Sequence, residues 1–140
     1  MTTNKVIEIL NDDLCNEYKH MLFYLHAANT VKGMERIYLT DMFKKHAAGE
    51  MEHVMAFAHK INGYGGFPVS GLNSTLFETQ QLSATELLSQ ALIMEREVVA
   101  NYHQQHKWFQ DFGDISLLVF MEDQIEDSQR DIDELVQLLS

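Results

Sequence analysis

The run Glu50-Met51-Glu52-His53 sets a carboxylate and an imidazole three residues apart, which puts both side chains on one face of a helix. Further glutamates stand where an apolar residue is expected. Glu17 interrupts the series Leu10, Leu14, Met21, Tyr24, Ala28, and Glu95 falls between Ala91 and Val98. Glu126, with Gln129 three residues on, lies near Ile125 and Ile132. A carboxylate buried alone is costly and tends to neutralise itself by taking a proton, so glutamates on apolar faces call for a cationic partner. Two divalent ions would balance Glu17, Glu50, Glu95 and Glu126, with His53 as a nitrogen donor. Oxygen-rich sites with one imidazole suit Fe(II) or Mn(II), and Zn(II) binds them as well.

The elements that must position these groups are long helices. Most breakers fall in two places: Gly33, and the stretch holding Gly63, Gly65, Gly66, Pro68 and Gly71. Between and beyond them, apolar residues recur at helical spacing. The pattern predicts helices over 4–30, 34–61, 83–111 and 115–139. Ser83 with Glu86 has the form of a capping box, Gly63 is a plausible breaker after the second helix, and Asp114 can cap the fourth. Each of the four glutamates lies close to the midpoint of its helix. Midpoint residues share one level in a bundle whichever way each helix runs, so the four should converge. Residues 62–82 connect the second and third helices, and an extended stretch of that length reaches about 60 Å. That is long enough to run the length of a bundle and start the third helix from the same end as the second.

With 140 residues, 46% of them hydrophobic, the chain has the length and apolar content of one folded domain. Its formal net charge of -11 repels a phosphate backbone and argues against nucleic acid as a partner. The same charge attracts small cations. Neither a membrane span nor a secretory leader is legible, so a cytoplasmic protein is expected. The single cysteine, Cys15, leaves no intramolecular disulfide and no Cys-x-x-Cys metal or redox motif.

These residues resemble the metal set of ferritin-like di-metal carboxylate proteins, in which two helices each give a Glu and two each give a Glu-x-x-His. The resemblance spans essentially the whole chain and is to bacterioferritin in particular. Glu17 and Glu50 keep that family's separation between ligand groups, the Glu50-to-His53 run is similar to its helix-two motif, and Tyr24 stands seven residues after Glu17. The resemblance implies an all-α, ferritin-like four-helix bundle with a long crossover between helices two and three. It also implies a ferroxidase that oxidises Fe(II) with O2 or H2O2 and holds the mineral in a homo-oligomeric shell. Glu50 and Glu126 would bridge two irons, Glu17 and His53 would complete one, and Glu95 with Gln129 the other. Tyr24 and Tyr102 read as core aromatics beside the ligands. His46 could pass iron inward, while His20, His26, His103 and His106 read as surface positions or neighbours of the ligands.

Some positions depart from the family. Gln129 replaces the second histidine, which leaves Glu122 or a water as alternative donors. Met51 falls where bacterioferritins place a haem-ligating methionine between two subunits, so haem is a second implied cofactor. The absence of a fifth helix leans toward the shorter mini-bacterioferritins. Two related readings share the fold: a non-storing di-iron or di-manganese enzyme of the rubrerythrin-like type, whose rubredoxin cysteines are missing here, and a Dps-like protective protein. A metal-free helical interaction module is the bland alternative.

Overall fold

The computed structural model is described for residues 1–72 and 80–140; part of the predicted crossover therefore lies outside the described residues. Among the described residues the structure is helical and without strands. The helices are α1 (Thr3–Thr30), α2 (Arg36–Gly63), α3 (Ala84–Gln110) and α4 (Ile115–Leu139). Each begins and ends within about two residues of the sequence prediction, the usual ambiguity of helix ends. None is long and apolar enough to cross a membrane. The chain divides into two compact units. One is Asn4–Ala84, and the other joins Met1–Thr3 to Thr85–Ser140.

In the first unit α1 and α2 form a hairpin. Leu10, Leu14 and Tyr24 of α1 and Phe43, Phe57 and Ile61 of α2 are buried. Burying a side chain of this size contributes about 1.5–3 kcal/mol, which is what holds helices whose other faces are polar. Tyr24 sits at the centre of this packing, its ring 6.2 Å from that of Phe43 and stacked at 4.9 Å on the His46 imidazole. The turn between the helices passes through Gly33 at φ +105°, and the Arg36 guanidinium donates to the Val31 carbonyl just beyond the end of α1.

The end of α2 differs from expectation in detail. Gly63 remains helical, and Gly65 adopts the left-handed conformation at φ +81°. Gly66 N–H donates to the Ile61 carbonyl at 3.0 Å and Gly65 N–H to that of Asn62 at 2.9 Å. This is the paired 6→1 and 5→2 bonding that ends many helices, and it requires a residue tolerant of positive φ at Gly65. Gly66 is needed for space. A Cβ built there would lie 2.7 Å from Cγ2 of Ile7.

The connection then follows α1. Asn11 donates its amide to the Phe67 carbonyl at 3.2 Å and accepts from Val69 N–H at 2.9 Å; Cys15 donates its thiol to the Gly71 carbonyl at 3.4 Å. Further on, Gln81 donates to the carbonyl of Thr30 at 2.8 Å. Partners on α1 thus advance from Asn11 to Thr30 as the connection advances, a climb of about 28 Å at the helical rise. This returns the chain to the end at which α2 begins, as a crossover must.

In the second unit α3 and α4 form another hairpin, with Ala91, Tyr102 and Phe109 buried on one helix and Leu117, Met121 and Leu135 on the other. Gly113 turns the chain at φ +80°, and the Asp114 carboxylate then accepts from Ser116 N–H at 2.9 Å, the N-cap anticipated from sequence. α3 starts directly after Ser83, with Glu86 in its first turn. On the outside of this hairpin His106 Nε2 lies 2.8 Å from a Glu122 oxygen.

Candidate metal centre

The inward face of α1 carries Asp13, Glu17 and His20 in steps of four and three, among Leu10, Leu14 and Tyr24. Glu17 is 1% exposed, and opposite it on α2 Glu50 is 3% exposed. One turn along α2, the His53 side chain is 12% exposed. Its Nδ1 lies 3.4 Å from Glu17 Oε2 and 3.3 Å from Glu50 Oε2, so one nitrogen faces both carboxylates.

The electrostatics follow from that contact. Burial would push the Glu17 carboxyl up, yet hydrogen bonding with Glu50 and His53 and the charges of His53 and His20 hold it at about 2. Burial would likewise push the His53 imidazole down, but hydrogen bonds and charge from Glu17 and Glu50 raise it to about 12. In the metal-free chain the imidazolium therefore occupies the role of the cation that two buried carboxylates require.

The donor set also fits a metal. Ligand atoms of Glu17, Glu50 and His53 all lie within 4.8 Å of one another. Two donors on one ion at about 2.1 Å stand about 3.0–3.4 Å apart, so the observed separations need only small side-chain adjustments. These residues could hold a divalent ion once His53 gave up its proton.

In the second unit Glu95 of α3 is fully buried, and a carboxylate oxygen of Asp131 on α4 comes within 4.8 Å of one of its own. The inward line of α4 is Leu117, Met121, Gln124, Ser128, Ile132 and Leu135. Ser128 and Asp131, three residues apart, share its polar stretch.

This arrangement corrects the reading of α4. Glu126 is 63% exposed at its side chain and pairs with Arg130 at 3.4 Å on the surface. Gln129 donates to Asp133 at 2.9 Å, an exposed pair, and Glu122 is taken up by His106. None of the three faces Glu95. The physical reason is that α4 has apolar residues on more than one side, with Leu118, Ile125 and Val136 only half-buried. A stripe drawn through them is rotated from the true inward line, and Glu126 stands about 200° from Ser128 around the helix. The polar identities of Gln124 and Ser128 disguised that line; its regular steps of four and three were the available signal.

Met51 is 52% exposed on the outer face of α2, away from Glu17 and His53. Tyr24 and Tyr102 are buried core aromatics. His20, read as a surface or neighbouring position, is buried. Asp13, which sequence reading passed over, is buried one turn before Glu17.

The ferritin-like domain model matches residues 7–140. Among solved structures, a ferritin-like, diiron-carboxylate protein from Bacillus anthracis str. Ames is similar at 31% identity, with 100% of both chains covered and a TM-score of 0.90. The dodecameric thioferritin of Bacteroides fragilis, a bacterioferritin-related protein, is 20% identical over 99% of this chain and 86% of its own, with a TM-score of 0.88. A Dps protein from Bacillus brevis is 17% identical over 100% of both chains, with a TM-score of 0.93. At those two identities the likeness is one of fold. No curated protein matches the chain. The chain belongs to the ferritin-like domain family and has its all-α four-helix bundle fold, with the long crossover between α2 and α3.

Proposed function

We propose that this protein is a ferroxidase that binds two Fe(II) ions as substrate, oxidises them with O2 or H2O2 and stores the product in a homo-oligomeric shell. The observation that carries this reading is the buried contact of Glu17, Glu50 and His53, two carboxylates and a nitrogen held within ligand distance of one another. Glu95 and Asp131 add two carboxylates on α3 and α4. The charge then balances: four carboxylates and a neutral imidazole offset two divalent ions. The B. anthracis relative, itself a diiron-carboxylate protein, supports iron as the metal.

Two bound Fe(II) ions supply, one electron each, the pair that reduces O2 with two protons to H2O2, or H2O2 with two protons to water. The chain's own part is to bind and to move a proton. Fe(II) entering at Glu17 and Glu50 displaces the proton on His53 Nδ1, and the freed nitrogen becomes a donor. The burial of Glu17 and Glu50 keeps bulk water from the carboxylates.

Storage needs an enclosed volume that one four-helix bundle lacks, so a closed shell of many copies is part of the proposal. The dodecameric relative supports such an assembly. The acidic balance of the chain would draw Fe(II) toward it. A haem held by Met51 would lie against a second copy on the outer face of α2, and the absorbance spectrum of the purified protein decides it. A cytoplasmic location belongs to the same proposal.

The second reading is a non-storing di-iron or di-manganese enzyme. It is favoured by α4, which presents Ser128 and Asp131 instead of a Glu-x-x-His. An anaerobic Fe(II) titration of the metal-free protein, followed by oxidant, separates the two. A break at two irons per chain with many more then kept in solution is the expected result. A break at two with no further uptake selects the non-storing enzyme, and absence of binding overturns both.

A further inference from the structure

The turn after α1 and the start of α2 carry a patch unlike the rest of the chain. Met34 is 98% exposed, Ile37 87% and Tyr38 57%, so three large apolar side chains close together in sequence stand in solvent. Large apolar groups exposed together mark a surface that another molecule covers. Around them the charge is reversed. Four of the chain's ten lysines and arginines, Lys32, Arg36, Lys44 and Lys45, fall here against two acids, Glu35 and Asp41, a local excess of +2 in a chain of net charge -11. Lys44 and Lys45 are exposed, and Lys44 follows Ile37 by seven residues, about two turns along one helix face. The outward face of α4 is the complement. Ile115 and Val119 are exposed there, and Asp123 and Glu126 continue the same face on the side opposite Ser128. Glu126 follows Val119 by the same seven residues that part Lys44 from Ile37, about 10.5 Å of helix in each case.

We propose that the start of α2 in one copy docks on the outward face of α4 in a second copy, with Ile37 and Tyr38 packed on Ile115 and Val119 and with Lys44 and Lys45 facing Asp123 and Glu126. Both faces are exposed in the single chain, so they meet only between copies. Laid side by side in the same direction, the two helices bring apolar groups against apolar groups and ammonium groups against carboxylates in one register. The apolar pairs supply affinity, and the charge pairs set orientation and exclude the like-charged pairing of α4 on α4. The inference rests on the reading of the protein as a homo-oligomeric shell and goes beyond it by naming two faces that join. Because the two faces differ, each bound copy still offers one of them, and the contact passes from copy to copy until a ring closes.

The test is light scattering on the full-length, metal-free protein as it leaves a size-exclusion column, with circular dichroism to establish that each variant keeps its helices. The wild type is expected as an assembly of many copies. Lys44→Glu combined with Lys45→Glu sets acid against acid and loses that assembled species in favour of a smaller one. Asp123→Lys combined with Glu126→Lys sets base against base and does the same. All four substitutions in one chain restore opposite charges across the contact and recover the assembly, a rescue that general damage to either helix does not give. Ile37→Asp, which removes the central apolar group, loses the assembly without rescue by the charge reversals. Charge-reversed variants that stay assembled, or a four-fold variant that does not recover, would overturn the pairing of α2 with α4 and leave the shell standing. A wild type that elutes as single copies would overturn the shell reading itself.

Discussion

His53 Nδ1 lies 3.4 Å from Glu17 Oε2 although the two residues sit on different helices, and Glu50 closes the contact from one turn before His53. A protonated imidazole between two buried carboxylates offsets part of their negative charge in the metal-free centre. That relationship decides how the site responds to pH, to metal and to substitution.

Metal binding should be strongly pH-dependent. The neighbouring carboxylates raise His53 to about 12, so it is protonated at neutral pH and each ion that binds there expels one proton. The apparent affinity for Zn(II) should rise about tenfold per pH unit between about pH 6 and about pH 8. Chelator competition across that range checks it, and a flat profile would remove His53 from the ligand set.

The stability of the metal-free protein should peak in mildly acidic solution. His53 is raised from 6.5 to about 12, so its contribution is complete below 6.5 and is lost as pH climbs toward 12. Glu17 is lowered from 4.5 to about 2, so its contribution is present above 4.5 and is lost as pH falls toward 2. Both are intact between pH 4.5 and 6.5. Thermal unfolding of the metal-free chain should give its highest midpoint there. Glu17→Gln, which removes one of the two carboxylates facing His53, should flatten the alkaline side of that profile.

On α4 two substitutions should separate the inward residues from the outward ones. Glu126→Ala removes an exposed pair with Arg130 and should change stability by less than about 0.5 kcal/mol, with metal uptake intact. Asp131→Asn removes a carboxylate beside Glu95 and should weaken binding of the second ion at least about tenfold. Equal losses in the two variants, measured by stoichiometric titration, would contradict the inward line through Ser128.

The start of the crossover should be intolerant of side chains. Gly66→Ala places a methyl 2.7 Å from Ile7 and should destabilise by about 1–3 kcal/mol. Gly65→Ala meets no neighbour but must hold φ +81°, and should cost about 1–2 kcal/mol. Denaturant unfolding of both variants tests whether crowding and backbone strain act separately.

Helix capping offers a further check on local structure. Asp114→Ala leaves the Ser116 N–H without its 2.9 Å acceptor and should destabilise by about 1 kcal/mol, with no effect on metal binding because the cap lies at the far end of α4 from Asp131.

The four helices and their turns were legible in the sequence because they depend on local chemistry: helical periodicity, glycine at positive φ, and an aspartate cap. The metal-like grouping of Glu50 and His53 was legible for the same reason, since three residues on one helix fix their common face. Glu17 and Glu95 stood out because a carboxylate among leucines and valines calls for a cationic partner. The inward line of helix four was not legible. α4 is apolar on more than one side, and only packing against the rest of the fold selects the side that turns inward. That selection buried Gln124 and Ser128, brought Asp131 to Glu95 and left Glu126 in water. The long crossover was likewise predictable in length alone; its path was decided by Asn11 and Cys15, which tie it to α1 by hydrogen bonds between residues far apart in the chain. Periodicity fixes which residues share a face, whereas the face that is buried is settled by the whole core at once.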